Sequence, residues 1–250
     1  MCTIARVGTH FVLGCALTVM FCDLAAAQEP PNGDFEDGVL DPWFGSGDFG
    51  VSEDNVLNGQ FSAFVTTSPD AIGEVCSHLL SPSVFPPSDR ASARVRFKVR
   101  YKTNEATGPL AFYEDPFHVQ FVTPKGALDL LTIKTDGIFW TKGSPTNTRV
   151  RDGKTGKDLK APPQIPPFEA GAFEFETPPL SSHSTVKLRG CEPVHIKFQI
   201  CDWFDTVVDS AAYIDDVRFD FKRGGDKCAE EVLDQDVMQN FIEGPPASRE

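Results

Sequence analysis

The segment 94–102 constrains the fold most, because its residues alternate strictly between apolar and basic. The apolar positions are Val95, Phe97, Val99 and Tyr101, and the basic positions are Arg94, Arg96, Lys98, Arg100 and Lys102. Successive side chains of a β-strand point to opposite faces of a sheet. This period of two therefore predicts a strand that turns one face to a core and presents a row of cations on the other.

The same alternation recurs along most of the chain. It predicts further strands at residues 60–66, 117–121, 128–134, 173–177, 193–200 and 213–221. Short strands separated by clusters of Gly, Pro, Asp and Asn favour a sandwich over a fold of alternating strands and helices. We therefore predict an all-β fold, a jelly-roll β-sandwich of antiparallel strands, formed by one domain over residues 28–222. The 21 phenylalanines can supply its core.

Two regions depart from the alternation. Residues 137–167 are rich in Pro, Gly, Lys and Thr, and we predict that they form an insertion with a tight turn at residues 152–156. In residues 223–250 the apolar side chains recur at roughly helical spacing before Gly244. We predict a C-terminal tail there that is partly a short helix.

The N-terminus has the pattern of an export signal. A positive charge at Arg6 precedes a largely apolar stretch, and small residues lead up to Ala27. This pattern predicts a signal peptide over residues 1–27, and the apolar run is too short to predict a transmembrane segment. A loosely lipobox-like sequence ends at Cys15, so lipidation there is the alternative. We expect a secreted, periplasmic or cell-surface protein, and the style of the sequence indicates a bacterial source.

The balance of charge narrows the possible partners. The formal net charge is −13 at pH 7. A nucleic-acid partner requires a basic footprint, so none is predicted.

Four cysteines follow the predicted signal peptide: Cys76, Cys191, Cys201 and Cys228. An even number in an exported protein predicts two disulfides, with three possible pairings. A strand over 193–200 would hold Cys191 and Cys201 ~30 Å apart, which is too far for a bond. If that strand forms a hairpin with the next one, Cys228 returns to Cys191 and leaves Cys76 for Cys201. We favour that set.

Four short segments carry a resemblance to a known fold family. They are Asn32-Gly-Asp-Phe-Glu36, Trp43, Asn58-Gly-Gln-Phe-Ser62 and Tyr213-Ile-Asp-Asp-Val217. In this order they resemble the galactose-binding-like jelly roll, and in style they are closest to the family 4/9 and 22 carbohydrate-binding modules. The closing segment is also similar to that of bacterial secreted choice-of-anchor domains.

The resemblance implies a structural calcium that joins the first and last strands. Carried over residue by residue, its ligands are Glu36 and Asp215, with Asp216 as the alternate and a backbone carbonyl near Gly59. Calcium takes six to eight oxygen ligands and accepts irregular geometry, so this chemistry is reasonable. The alternative is that these carboxylates are solvated charges at strand ends.

A glycan ligand would need aromatic platforms, because the C–H faces of sugar rings pack on flat π-systems. The candidates are Tyr113, Trp140 and Trp203. The basic strip, represented by Arg96, Lys98 and Arg100, could also bind an anionic glycan or sulfate. Cross-strand acidic partners could instead neutralise these cations.

The predicted function is a secreted, non-catalytic binding module, with carbohydrate as the leading ligand by resemblance. The alternative is a structural or protein-interaction domain of the envelope or extracellular matrix without a sugar site. A hydrolase is a third hypothesis, but no catalytic residue is assigned, because the sequence after the signal peptide has no His-x-x-x-His or Gly-x-Ser-x-Gly arrangement.

Overall fold

The computed structural model describes residues 26–67, 75–88, 91–103, 115–135, 137–140, 148–153, 155–159, 175–188, 190–202 and 210–222. These residues form fourteen β-strands and include no helix. The strands are β1 Ala26–Gln28, β2 Phe44–Ser46, β3 Asp48–Ser52, β4 Ser62–Thr66, β5 Val75–Leu80, β6 Ser92–Thr103, β7 Phe117–Thr123, β8 Gly126–Lys134, β9 Gly137–Trp140, β10 Arg149–Asp152, β11 Phe175–Glu176, β12 Leu180–Lys187, β13 His195–Asp202 and β14 Ser210–Lys222.

The strands form two antiparallel sheets. The larger sheet has the order β10-β12-β6-β14-β4-β3, with β1 beside β14 and β11 beside β6. The smaller sheet has the order β2-β5-β13-β7-β8-β9. The predicted all-β, antiparallel jelly-roll sandwich is thereby confirmed, whereas the predicted helical tail lies outside the described residues.

Aromatic side chains from the two inner faces make the core. Phe97 of β6 meets Phe198 of β13 edge to face, with ring centroids 5.4 Å apart. Phe121 of β7 meets Phe219 of β14 at 6.3 Å. All four are buried, and each contributes roughly 1.5–3 kcal/mol through burial of its side chain. This core fixes the sheets rigidly enough to position side chains on their outer faces.

The strand predicted at 94–102 is β6, and it runs through the middle of the larger sheet. It pairs with β12 on one side and with β14 on the other. Its apolar residues are buried and its basic residues lie on the outer face of the sheet. The most alternating segment of the sequence therefore crosses the centre of the fold.

The disulfide between Cys76 and Cys201 is confirmed, but the reason given for it from the sequence is wrong. The two cysteines face each other on β5 and β13, with Cα atoms 4.0 Å apart. The neighbours of β13 are β5 and β7, and β14 belongs to the other sheet, so the expected hairpin does not form. Cys191 is disulfide-bonded as well, but its predicted partner Cys228 lies outside the described residues.

The described residues of the range 137–167 form two strands, one in each sheet. β9 pairs with β8, and β10 pairs with β12. After β10 the chain turns: the N–H of Gly156 donates to the carbonyl oxygen of Asp152 at 2.7 Å, and the N–H of Leu159 to that of Val150 at 2.8 Å. The segment thus places β10 at the edge of the larger sheet.

The first described strand lies at the predicted cleavage point. β1 pairs with β14, and cleavage after Ala27 would remove two of its three residues. Within the part of the chain that the structure describes, no helix is long and apolar enough to cross a membrane.

Candidate functional site

The two terminal motifs meet through the backbone. The N–H of Val217 in β14 donates to the carbonyl oxygen of Gly33 at 2.8 Å. A Cβ atom on Gly33 would lie 2.6 Å from the carbonyl oxygen of Val217, so only glycine fits this approach. The resemblance placed these segments side by side, and the structure does the same.

Glu36 holds the loop of residues 58–62 from one side. Its two carboxylate oxygens both accept the N–H of Gln60, each at 3.0 Å, and Oε1 also accepts that of Phe61 at 3.3 Å. Gly59 has a φ of +69°, and a Cβ there would lie 2.1 Å from Oε1 of Glu36. The Asn-Gly turn is therefore built around this carboxylate.

Asp215 holds the same loop from the other side and is fully buried. Its Oδ2 accepts the N–H of Asn58 at 2.8 Å and the hydroxyl of Ser62 at 2.9 Å. Burial raises the pKa of Asp215 to about 6, against the opposing effect of hydrogen bonds from Ser62, Asp216 and Asn58 and of the charge on Lys98. The loss of solvation on burial thus outweighs both the hydrogen bonds and the charge of Lys98.

The oxygen atoms of Glu36 and Asp215 are chemically suited to calcium. Glu36 and Asp215 supply carboxylate oxygens to one loop, which is the ligand type that calcium prefers. No group of three or more Asp, Glu, His or Cys residues able to hold a metal ion occurs among the described residues. Backbone carbonyls would have to complete the shell, as the resemblance implies near Gly59, and calcium stays a prediction.

A basic groove of about 560 Å³ lies on the outer face of the larger sheet, over β10, β12, β6 and β14. Six of its twelve lining residues are cationic and one, Asp216, is acidic. The cations are Arg94, Arg96, Lys98, Arg149, Arg151 and Arg218. Two of the predicted ligand residues, Arg96 and Lys98, thus line the groove. The third, Arg100, lies next along the same face of β6.

Acidic residues of β14 neutralise part of the basic strip, as the cross-strand alternative predicted. Arg96 pairs with Asp220, and Nζ of Lys98 lies 3.3 Å from Oδ2 of Asp216. Asp216 also accepts Nε of Arg218 at 2.6 Å. The central cations of the groove are therefore held in place by carboxylates.

Two cations of the groove differ from the rest. Arg94 and Arg149 are exposed, and neither forms an ion pair with a carboxylate of the described residues. They stand on β6 and β10, with β12 between them. Asp220 stands opposite Arg94 in the strand register, and the charge of Arg149 helps to lower the pKa of Asp158, but neither guanidinium group is held in an ion pair.

His183 of β12 lies between these two strands and lines the groove. Its pKa is lowered, first by burial and then by the charges of Arg94, Arg151, Arg149 and Arg96. This shift favours the neutral imidazole, in which one ring nitrogen donates a hydrogen bond and the other accepts one. Four guanidinium groups thus act on one point of the groove.

Of the predicted aromatic platforms, only Trp140 belongs to the described residues, and it does not line this groove. Trp140 is on β9, at the edge of the smaller sheet, half-buried against the core. Tyr113 and Trp203 lie outside the described residues. An aromatic pair does lie on the outer face of the larger sheet: the rings of Phe64 and Tyr213 are 6.3 Å apart, and Tyr213 stands opposite Arg100.

Sequence reasoning missed the contribution of β10 and β12, which bring Arg149, Arg151 and His183 to the groove. The inward residues in the middle of β12 are Ser182 and Ser184, both buried. Because serine does not register as apolar, the period of two in this strand is hidden. The apolar inward residues of β12 are Leu180 and Val186, which lie towards its two ends.

No family model matches the chain, and no curated protein matches it. Among solved structures, a family 61 carbohydrate-binding module in complex with β-1,4-galactotriose is 14% identical, with a TM-score of 0.32; the match covers 77% of this chain and 96% of that one. A structure described as a basis for promiscuous specificity of carbohydrate-binding modules is 12% identical, at 0.33, over 76% and 60%.

A third similar structure contains the CBM22-1 and GH10 modules of xylanase 10B from Clostridium thermocellum, complexed with xylohexaose. It is 17% identical, with a TM-score of 0.33, over 80% of this chain and 29% of that one. The chain thus spans less than two thirds of the second and third structures. These modules are of the kind that the sequence resemblance names.

Proposed function

We propose that the chain is an exported, non-catalytic carbohydrate-binding module whose sugar lies in the basic groove. The observation that carries this proposal is the groove itself, a depression over four adjacent strands lined by side chains that donate hydrogen bonds. Rigid strands hold those donors in fixed positions, so little entropy is lost when a polar ligand is bound. Export is supported by the N-terminal signal pattern and by the Cys76–Cys201 disulfide.

Hydrogen bonds and stacking would share the binding. Ser181, His183 and Thr185 offer hydroxyl and imidazole groups to sugar hydroxyls. The rings of Phe64 and Tyr213 lie on the same face of the sheet and are half-buried, so each keeps an accessible part for the C–H face of a sugar ring. Neither role requires a metal ion.

The acid–base content of the groove favours binding over hydrolysis. Most glycoside hydrolases place two carboxyl groups on either side of the scissile bond. Among the described residues the groove is lined by one, Asp216, and that carboxylate already pairs with Lys98 and Arg218. The carboxylate of Asp216 therefore positions these two cations.

A protein-interaction or structural module of the envelope or matrix is the second candidate. The ion pairs Arg96–Asp220 and Lys98–Asp216 favour it, because a charge row neutralised within the sheet needs no ligand. In that case the groove would carry no sugar, and the exposed cations would meet acidic side chains of a partner.

Glycan-array binding and affinity electrophoresis of the oxidised protein test the proposal. We expect retention by at least one polysaccharide, and weaker binding by His183→Ala and by Tyr213→Ala. Phe139→Ala is the matched control, because Phe139 is 40% exposed but lies on the smaller sheet. Binding to no polysaccharide, or loss of binding in the Phe139 variant alone, would overturn the proposal.

A further inference from the structure

We propose that the basic groove selects an acidic polysaccharide, binding its carboxylate or sulfate-ester groups through Arg94 and Arg149. This inference rests on the proposed function, because it assigns the chemical class of the sugar ligand. It starts from the distribution of charge: the chain has a net charge of −13, yet six cations and one carboxylate line this groove.

The register of the strands aligns the cations into a row. Arg149 of β10 stands opposite His183 of β12, His183 opposite Arg96 of β6, and Arg96 opposite Arg218 of β14. Neighbouring strands are ~4.8 Å apart, so the row extends over roughly 14 Å across the sheet. Two residues along the same face of β6, Arg94 stands opposite Thr185 of β12.

Such a row is unfavourable for the sheet alone. Like charges directly opposite each other on adjacent strands are destabilising, and Arg96 and Arg218 are so placed. Asp220 and Asp216 pair with these two, whereas Arg94 and Arg149 form no ion pair among the described residues. Asp220 stands opposite Arg94 in the strand register and the charge of Arg149 acts on Asp158, so each has a carboxylate nearby with which it forms no ion pair. An anion bound between the two guanidinium groups would pair with both.

Guanidinium groups suit the chemistry of this anion. Arginine presents planar, paired N–H donors that match carboxylate and sulfate oxygens two at a time. The neutral imidazole of His183 lies among the same guanidinium groups and can add a further donor without adding to the repulsion. The groove thus offers hydrogen bonds to sugar hydroxyls beside sites for their charged substituents.

The overall charge of the chain favours a saccharide over a nucleic acid. A DNA duplex carries one charge per ~1.7 Å along a stiff axis, so it would bring many phosphates close to a protein with a net charge of −13. A polysaccharide chain has fewer charges and can bend away beyond the groove. Nucleic-acid binding is accordingly an outcome of the test and not the expectation.

The test compares ligands that differ only in charge. Dextran, carboxymethyl dextran and dextran sulfate of equal length are titrated against the oxidised full chain at physiological salt, with duplex DNA alongside. We expect one of the two anionic dextrans to bind at least about tenfold more tightly than dextran itself. The carboxymethyl and sulfate arms identify which anion is preferred.

Charge-matched variants separate a built site from general attraction. Arg94→Gln with Arg149→Gln should weaken the anionic ligand by about tenfold or more. Lys125→Gln with Lys134→Gln removes the same charge from β8 and the turn before it, and should change binding by less than about twofold. Melting curves establish that all variants fold.

The outcomes distinguish this inference from the proposed function. Equal binding of neutral and anionic polysaccharides, lost in His183→Ala, would overturn the inference and leave the carbohydrate-binding proposal standing. Equal losses in the two double variants, or DNA binding as tight as the anionic dextrans, would also overturn it. Binding to no polysaccharide at all would overturn both.

Discussion

The N–H of Val217 donates to the carbonyl oxygen of Gly33 at 2.8 Å, so the last strand is bonded directly to the first described turn. On either side of this junction a carboxylate reaches the same loop: Glu36 binds the N–H of Gln60, and Asp215 binds that of Asn58. Three segments that are remote in sequence are thereby joined by hydrogen bonds. The stability of this end of the sandwich should depend on the two carboxylates.

The contact between Gly59 and Glu36 can be isolated with two alanine variants. Gly59 and Gly156 have φ angles of +69° and +67°, so alanine costs roughly 1–2 kcal/mol of backbone strain at either site. At Gly59 the new Cβ would also displace the Glu36 carboxylate, whereas nothing lies within 4 Å of the one at Gly156. Chemical denaturation should show Gly59→Ala to be less stable than Gly156→Ala by about 1–2 kcal/mol.

Glu36→Gln provides the control for that comparison. If the carboxylate is the cause, Gly59→Ala should cost less in the Glu36→Gln background than in the natural chain. Equal free energies of unfolding for Gly59→Ala and Gly156→Ala would show that the loop does not depend on Glu36.

The buried carboxyl of Asp215 should leave a signature in the pH dependence of stability. Its folded pKa of about 6 lies above the ordinary value of 3.8, so the folded protein binds more protons than the unfolded chain between these values. Stability from this group is therefore present below pH ~4 and is lost as the pH rises through ~6, by up to about 3 kcal/mol.

Asp215→Asn removes that titration while keeping the shape of the side chain. The variant loses one acceptor, so its absolute stability changes at every pH. The informative quantity is the difference in unfolding free energy between the two proteins from pH 4 to 7, which should shift in favour of the variant as the pH rises. Parallel curves would mean that Asp215 is ionised throughout this range.

The fold was predictable where inward positions are apolar and not elsewhere. β6, β7 and β13 alternate in sequence and in burial, so their period of two is visible. β12 carries Ser182 and Ser184 at inward positions, and β2 is only three residues long, so neither gives a periodic signal. Which strands neighbour one another could not be deduced either, because pairing across a sandwich depends on contacts between distant segments.

The site was predictable in part for the same reason. The cationic face of β6 was visible because it belongs to a strand that the sequence reveals. Arg149 and His183 became part of it only through the pairing of β10 with β12 and of β12 with β6. The pairing of Arg96 with Asp220 likewise depends on β14 lying beside β6.

Removal of the Cys76–Cys201 disulfide should destabilise the protein substantially. The bond closes a loop between cysteines 125 positions apart, and it links two strands that are already paired. Cys76→Ser with Cys201→Ser should lower the free energy of unfolding by about 2–5 kcal/mol.

A non-reducing peptide map of the natural chain checks the second predicted bond. It should join Cys191 to Cys228, and any other partner for Cys191 would contradict that pairing.

Calcium can be tested by melting the oxidised protein in EDTA and with added calcium. A metal that binds only the folded state adds ~2.7 kcal/mol at 100-fold its dissociation constant. If Glu36 and Asp215 are ligands, as the resemblance implies, the melting temperature should rise with calcium, and the rise should disappear in Glu36→Gln and Asp215→Asn.

Asp152→Asn is the control for these variants, because it removes a carboxylate from a turn elsewhere in the fold. Calcium should also depress the pKa of Asp215, because a nearby cation favours the carboxylate, and should thereby abolish the loss of stability towards neutral pH. An unchanged melting temperature in every case would show that the hydrogen bonds of the loop, and no metal, join these strands.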